Sequence, residues 1–145
     1  EGRFRELSAD ELKLSYRSSL LPQGAIITKA VFRLNEGGRD EILEKMKLAD
    51  ARRKKTQPLD VPSAGSVFKN PPGGHAGEII DELGLKGMSV GDAQVSQRHA
   101  NFIVNTGQAR ARDVLELMRK IEEAVFNNKG IRLEREIKLA GSFDI

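Results

Sequence analysis

The sequence predicts an α+β fold, and three observations carry that prediction. Segments rich in β-branched residues interleave with segments whose apolar residues recur at helical spacing. Short turns join some of the strand-like segments, which makes those neighbours antiparallel. No internal repeat or low-complexity tract organises the chain. With 145 residues, 39% of them hydrophobic, the chain holds one ordinary domain with a real core, or one domain with a fragment of another.

The elements follow in order. Ser8-Ala9-Asp10-Glu11 has the spacing of a capping box and predicts a short helical turn through Leu12. Tyr16-Arg17-Ser18-Ser19 falls in a loop. Residues 25–34 (AIITKAVFRL) read as a strand, stopped by Asn35-Glu36-Gly37-Gly38, and this turn is the expected boundary between a region 1–36 and a domain 37–145. From Arg39 to Lys55, Ile42, Leu43, Met46 and Ala49 fall at helical spacing, and the basic run 52–55 complements the helix dipole at its end. Residues 63–70 predict a strand fenced by prolines. A second helix spans 75–83, with Gly84 just past its end. Residues 85–96 supply a turn and a strand, and residues 101–105 (NFIVN) another. Val114, Leu117, Met118, Ile121 and Val125 mark a long amphipathic helix ending near Gly130. Residues 131–140 (IRLEREIKLA) alternate apolar and charged residues, as a half-buried strand does.

Composition narrows the function classes. There is no cysteine, so disulfides and thiolate chemistry are excluded. The two histidines, His75 and His99, form no His-x-x-x-His pair, and nothing in the sequence predicts a metal. No apolar run reaches bilayer length, and the opening Glu1-Gly2-Arg3-Phe4-Arg5 has neither a Met nor a hydrophobic leader. The chain reads as a cytoplasmic protein with no membrane partner, and as a piece of a longer one. A net charge of +3 suits an anionic small molecule; with aromatics at 5%, the stacking platforms of a nucleic-acid module are missing, and no nucleic-acid partner is expected.

The segment Pro62-Ser63-Ala64-Gly65-Ser66-Val67-Phe68-Lys69-Asn70-Pro71 is the most informative. Strand alternation puts Ser66, Phe68 and Asn70 on one face and Val67 and Lys69 on the other. A hydroxyl and an amide then leave a stiffened backbone in the same direction, as a ligand site requires.

This segment does not stand alone. It is followed by Ala76-Gly77-Glu78-Ile79-Ile80-Asp81, Gly84-Leu85-Lys86-Gly87, Val95-Ser96, His99-Ala100-Asn101-Phe102-Ile103-Val104-Asn105 and Leu133-Glu134-Arg135-Glu136-Ile137. In that order and spacing the chain resembles the C-terminal part of the MurB family of UDP-N-acetylenolpyruvoylglucosamine reductases, over nearly its whole length. Tyr16-Arg17-Ser18-Ser19 also looks like that family's Tyr-Arg-x-Ser motif, near the end of its FAD-binding region. The resemblance implies a MurB C-terminal substrate-binding domain at 37–145, preceded at 1–36 by the tail of the FAD-binding domain. It implies a flavoenzyme that uses FAD and NADPH to reduce UDP-N-acetylglucosamine enolpyruvate to UDP-N-acetylmuramate in peptidoglycan synthesis. By motif position, Ser66 corresponds to the serine that supplies the proton, Glu136 to a glutamate acting at the substrate carboxylate, and Arg17 to the active-site arginine. Asn70, Tyr16 and His99 correspond to substrate-facing residues, and Lys55, or its neighbour Lys54, to a lysine contacting the nucleotide. The family's glycine-rich flavin segments lie N-terminal to anything in this chain, so the missing N-terminal FAD-binding region is its expected partner and the fragment alone is expected to be inactive. No tyrosine-bearing insertion is present to fold over the substrate.

Each residue also has a plainer reading. Taken alone, Glu136 is a surface residue of a charged strand, His99 a satisfied structural histidine, and Asn101 and Asn105 side chains that bond their own backbone.

Overall fold

The computed structural model describes residues 2–141, which divide between two units, Glu1–Gly38 and Arg39–Ile145. Among the described residues, no helix is long and apolar enough to cross a membrane.

In the first unit, α1 (Ala9–Leu12) begins as the spacing predicts. Ser8 Oγ accepts from the Glu11 N–H at 3.3 Å, and the Glu11 carboxylate accepts from the Ser8 N–H at 2.9 Å. Ser15 and Ser18 exchange backbone hydrogen bonds of 3.0 and 3.2 Å, closing a tight turn with Tyr16 and Arg17 at its tip. Arg17 holds φ +54°, in the left-handed region that few side chains adopt. The strand expected at 25–34 is not formed. Ile26, Val31 and Phe32 are each more than three-quarters exposed. Strand character is completed only by a partner that takes up its N–H and C=O groups, and no described segment does so here.

The second unit opens with α2 (Arg39–Thr56), a helix with no buried residue, braced along its surface by the i,i+4 pairs Glu41–Lys45 and Asp50–Lys54, both at 2.6 Å. There follow β1 (Ser63–Ser66), α3 (Ala76–Glu82), β2 (Ser89–Val90), β3 (Ala93–Val95), β4 (Phe102–Asn105) and α4 (Ala111–Lys129). The four strands form one antiparallel sheet in the order β1-β4-β3-β2. Helix α4 lays Leu115, Leu117, Met118, Ile121 and Val125 against one sheet face, where they meet Ala93, Val95 and Ile103; Ala76 and Ile80 of α3 close the core. Each of the larger side chains contributes about 2 kcal/mol by leaving water. Gly130 ends α4 with φ +68°, and its N–H bonds the Phe126 carbonyl at 2.8 Å.

Two expectations at the sheet edge need correction. Residues 131–140 form no continuous strand. They meet the 66–69 segment in a single bridge, Phe68 to Arg135, with Lys69 N–H donating to the Glu134 carbonyl (2.8 Å) and Glu136 N–H to the Val67 carbonyl (2.8 Å). Pro71 and Pro72 have no N–H to donate, so the ladder stops there. The alternation of Ser66, Phe68 and Asn70 on one face is also lost: Val67 and Phe68 are both core residues, Ser66 is half-buried and Asn70 is exposed. The backbone changes partner at this point, passing from β4 to the 134–136 segment, and the side-chain period breaks with it.

Candidate active site

The geometry around Ser66 starts with a bulge. Ser63 pairs with Val104 and Ser66 with Phe102, so one extra residue stands on β1 between the two pairs. Gly65 sits in that interval with φ +85°, a backbone state open to glycine. The bulge sets the direction in which Ser66 leaves the sheet. Paired across from Phe102, Ser66 shares its face of the sheet. Phe102 and Val104 are buried but lie outside the cluster packed on α4.

His99 covers this face. Its ring lies 4.9 Å from the Phe102 ring at a tilt of 57°, and its Nδ1 accepts the Asn101 N–H at 3.2 Å. Nδ1 as acceptor leaves the proton on Nε2. Burial, and then the positive charge of Lys86, hold the imidazole below its ordinary pKa, so it is neutral at pH 7. Gly77 of α3 makes room for the ring: a Cβ there would stand 3.0 Å from His99 Cε1.

Glu136 arrives through the backbone. Its N–H bonds the carbonyl of the residue after Ser66, which sets the two main chains about 5 Å apart, one ladder spacing. The segment carrying it is pinned on both sides: Glu134 pairs with Lys69, and Arg135 forks onto Glu122 of α4 at 2.6 and 2.8 Å. The Glu122 hydrogen bond and charge raise the pKa of Arg135 further. Asn70 turns its Oδ1 to the Ala76 N–H (3.0 Å), capping the first turn of α3 from the loop that leads into it.

Ser66, Glu136, His99 and Asn70 are therefore all drawn to one edge of the second unit. Lys55 is exposed in the last turn of α2, and Lys54 beside it is ion-paired with Asp50. The loop leading from these lysines to β1 is tied down by Arg98, the residue before His99, which donates to both Asp60 oxygens (2.8 and 3.1 Å) and to the Gln57 carbonyl (3.0 Å). That fork lowers the pKa of Asp60. Tyr16 and Arg17 belong to the first unit, where the guanidinium stacks over the Tyr16 ring at 5.3 Å. The sequence reading gave no role to Gly65 or Arg98, and gave Asn101 only a local backbone bond. The Gly-Ser pair marked Gly65; Arg98 and Asn101 act on residues more than thirty positions away and leave no local signal. Among the described residues no group of His, Asp and Glu could hold a metal ion.

This edge carries a hydroxyl, a half-buried carboxyl, an amide and a neutral imidazole: groups suited to a polar ligand and to moving a proton.

Residues 57–140 match the family described as UDP-N-acetylenolpyruvoylglucosamine reductase, C-terminal domain. The UDP-N-acetylenolpyruvoylglucosamine reductase of Agathobacter rectalis is 47% identical over 144 residues, 99% of this chain and 46% of that protein. UDP-N-acetylenolpyruvoylglucosamine reductase 2 of Symbiobacterium thermophilum is 50% identical over 143 residues, 97% of this chain and 46% of its own length. The crystal structure of the MurB reductase from Thermus caldophilus superposes with a TM-score of 0.74 at 50% identity, covering 88% of this chain and 46% of that one. The chain thus spans a little under half the length of these relatives.

Proposed function

Because the chain belongs to the UDP-N-acetylenolpyruvoylglucosamine reductase family through its C-terminal domain, we propose that it is the substrate-binding part of a cytoplasmic enzyme of peptidoglycan precursor synthesis. The reaction is reduction of UDP-N-acetylglucosamine enolpyruvate to UDP-N-acetylmuramate. When bound, FAD reduced by NADPH would supply the hydride. The donor set on the Ser66 edge suits an enolpyruvyl carboxylate rather than a dinucleotide, so we assign FAD and NADPH to the part of the full-length protein beyond this chain. Residues 1–36 are the tail of that flavin-binding domain, and residues 37–145 are the substrate domain.

The residues of this chain act on the substrate's charge and on its proton. Hydride addition at the terminal carbon of the enolpyruvyl group drives negative charge toward the carboxylate. By family correspondence, Arg17 offers that carboxylate a fixed fork of donors and Glu136 acts at the same carboxylate; stabilising charge where it develops is the largest single catalytic effect available. Ser66 delivers a proton to the carbon bearing the ether oxygen, completing the lactyl group, and is reprotonated from its polar surroundings. Neutral His99 presents Nε2–H to the substrate, Asn70 and Tyr16 line it, and Lys55 meets the diphosphate.

The observation that carries this reading is the approach of Ser66 and Glu136, from positions 70 residues apart, through the Glu136 N–H on the Val67 carbonyl. It is tested in the full-length protein loaded with FAD. NADPH consumption that requires the enolpyruvyl substrate supports the reading; consumption indifferent to that substrate overturns it. In a titration of the same protein with UDP-N-acetylglucosamine enolpyruvate, amide shifts at Asn70 and Lys55 are expected, and their absence would contradict the substrate assignment.

A further inference from the structure

We infer that Asn101 is a positioning residue that fixes Ser66 and His99 relative to one another; the inference rests on the substrate-domain reading above. The need for it arises where β1 runs out of partner. Ser66 opposite Phe102 is the last pair between β1 and β4. The next residues, Val67 and Phe68, are 2% and 1% exposed, so their backbone N–H and C=O groups require partners inside the protein. The Glu136 N–H takes the Val67 carbonyl, and Asn101 provides for the other three. Its main-chain carbonyl accepts the Val67 N–H (2.9 Å), its Oδ1 accepts the Phe68 N–H (2.9 Å), and its Nδ2 donates to the Phe68 carbonyl (2.8 Å). An amide side chain carries one acceptor and one donor in the geometry of a peptide, so it stands in for the missing strand neighbour.

The same residue holds His99. The Asn101 N–H is the donor that selects the Nε2–H tautomer, and Gly77 packs against both residues, 3.0 Å from His99 Cε1 and 3.6 Å from Asn101 Cβ measured from a Cβ placed on the glycine. A buried asparagine serving packing alone would meet this demand anywhere along a core strand. Here its four hydrogen bonds run two ways, to the backbone directly after Ser66 and to the imidazole facing the substrate. Asn101 itself is 5% exposed and lies beneath both, so it acts through them.

The test uses the full-length flavoenzyme and follows its two half-reactions separately. Asn101→Ala should slow flavin reoxidation by the enolpyruvyl substrate by about 10²-fold, the cost of a misplacement on the order of 1 Å. Flavin reduction by NADPH should be unchanged. Asn101→Asp keeps the shape and the Oδ1 acceptor but loses the donor to Phe68, and should show the same split if the alanine variant does not fold. In the unsubstituted protein, imidazole nitrogen NMR should report His99 as the Nε2–H tautomer whatever the variants do. Unchanged reoxidation in either variant, an equal fall in both half-reactions, or the Nδ1–H tautomer would overturn the inference. A wild-type enzyme competent in reoxidation separates the two failures: if it is competent and the variants match it, the positioning role is wrong; if it is not, the functional reading falls first and takes this inference with it.

Discussion

Removing the Arg135–Glu122 fork should loosen the segment that carries Glu136, and its size can be worked from the geometry. Two charge-assisted hydrogen bonds of 2.6 and 2.8 Å join the pair, whose side chains keep 33% and 25% of their exposure. Fully buried, such bonds contribute about 1.5–3 kcal/mol each; fully exposed ion pairs contribute about 0.2–1 kcal/mol. Solvent screening at a quarter to a third exposure places the coupling between these limits, at about 1–2 kcal/mol. The assay is urea denaturation of Arg135→Ala, Glu122→Ala and the double variant, because the cycle removes the packing that each alanine costs on its own. For a domain of this size the coupling corresponds to a Tm shift of roughly 4–8 °C. Glu136 is the next residue and depends on the same anchorage, so the single variants should also slow substrate-dependent flavin reoxidation in the full-length enzyme. A coupling below about 0.3 kcal/mol, the level of a weak surface pair, would refute the reasoning.

Two more expectations concern the bulge and the imidazole. Gly65→Ala should destabilise by about 1–2 kcal/mol from backbone strain alone, since nothing lies within 4 Å of the added Cβ; a denaturation midpoint that rises, as glycine replacement gives at compatible positions, would contradict it. His99 has a folded pKa depressed by burial and by Lys86, below the unfolded value of 6.5. The unfolded chain therefore binds more protons in that window, and His99's contribution to stability is fully present above pH 6.5 and lost as pH falls through the folded pKa. Urea midpoints measured downward from neutral pH should fall more steeply in the wild type than in His99→Gln, and identical slopes would count against the buried imidazole.

Local signals in the sequence were read well because local physics decided them. The Ser8–Glu11 box, Gly84 and Gly130 past their helices, and the apolar stripe of α4 all act within a turn or two of chain. Residues 101–105 read as a strand, and β4 forms there with its three apolar residues, Phe102, Ile103 and Val104, all buried. What failed depended on partners. Residues 25–34 have strand composition, yet composition does not supply the neighbouring backbone that makes a ladder. Phe68 left its predicted face because the chain exchanges β4 for the 134–136 segment there, a long-range event with no period of its own. At the candidate site, Ser66, Asn70, His99 and Glu136 were named by the family resemblance, and their roles stay proposals; the structure shows that they belong to the same unit. Asn101 lies inside the same motif, where it reads as a side chain bonding its own backbone; its partner Phe68 lies 33 residues earlier. Arg98 ties down a loop 38 residues before it, equally beyond local patterning.

The central claim is that the Ser66 edge meets the enolpyruvyl group and Ser66 supplies the proton that follows hydride transfer. Its most direct test is Ser66→Ala in the full-length enzyme, with flavin reduction and reoxidation timed separately by stopped flow. Flavin reduction by NADPH should proceed as in the wild type, while reoxidation by UDP-N-acetylglucosamine enolpyruvate should slow by about 10²–10⁴-fold, the range for loss of a positioned proton donor. Reoxidation at the wild-type rate would show that the proton comes from elsewhere.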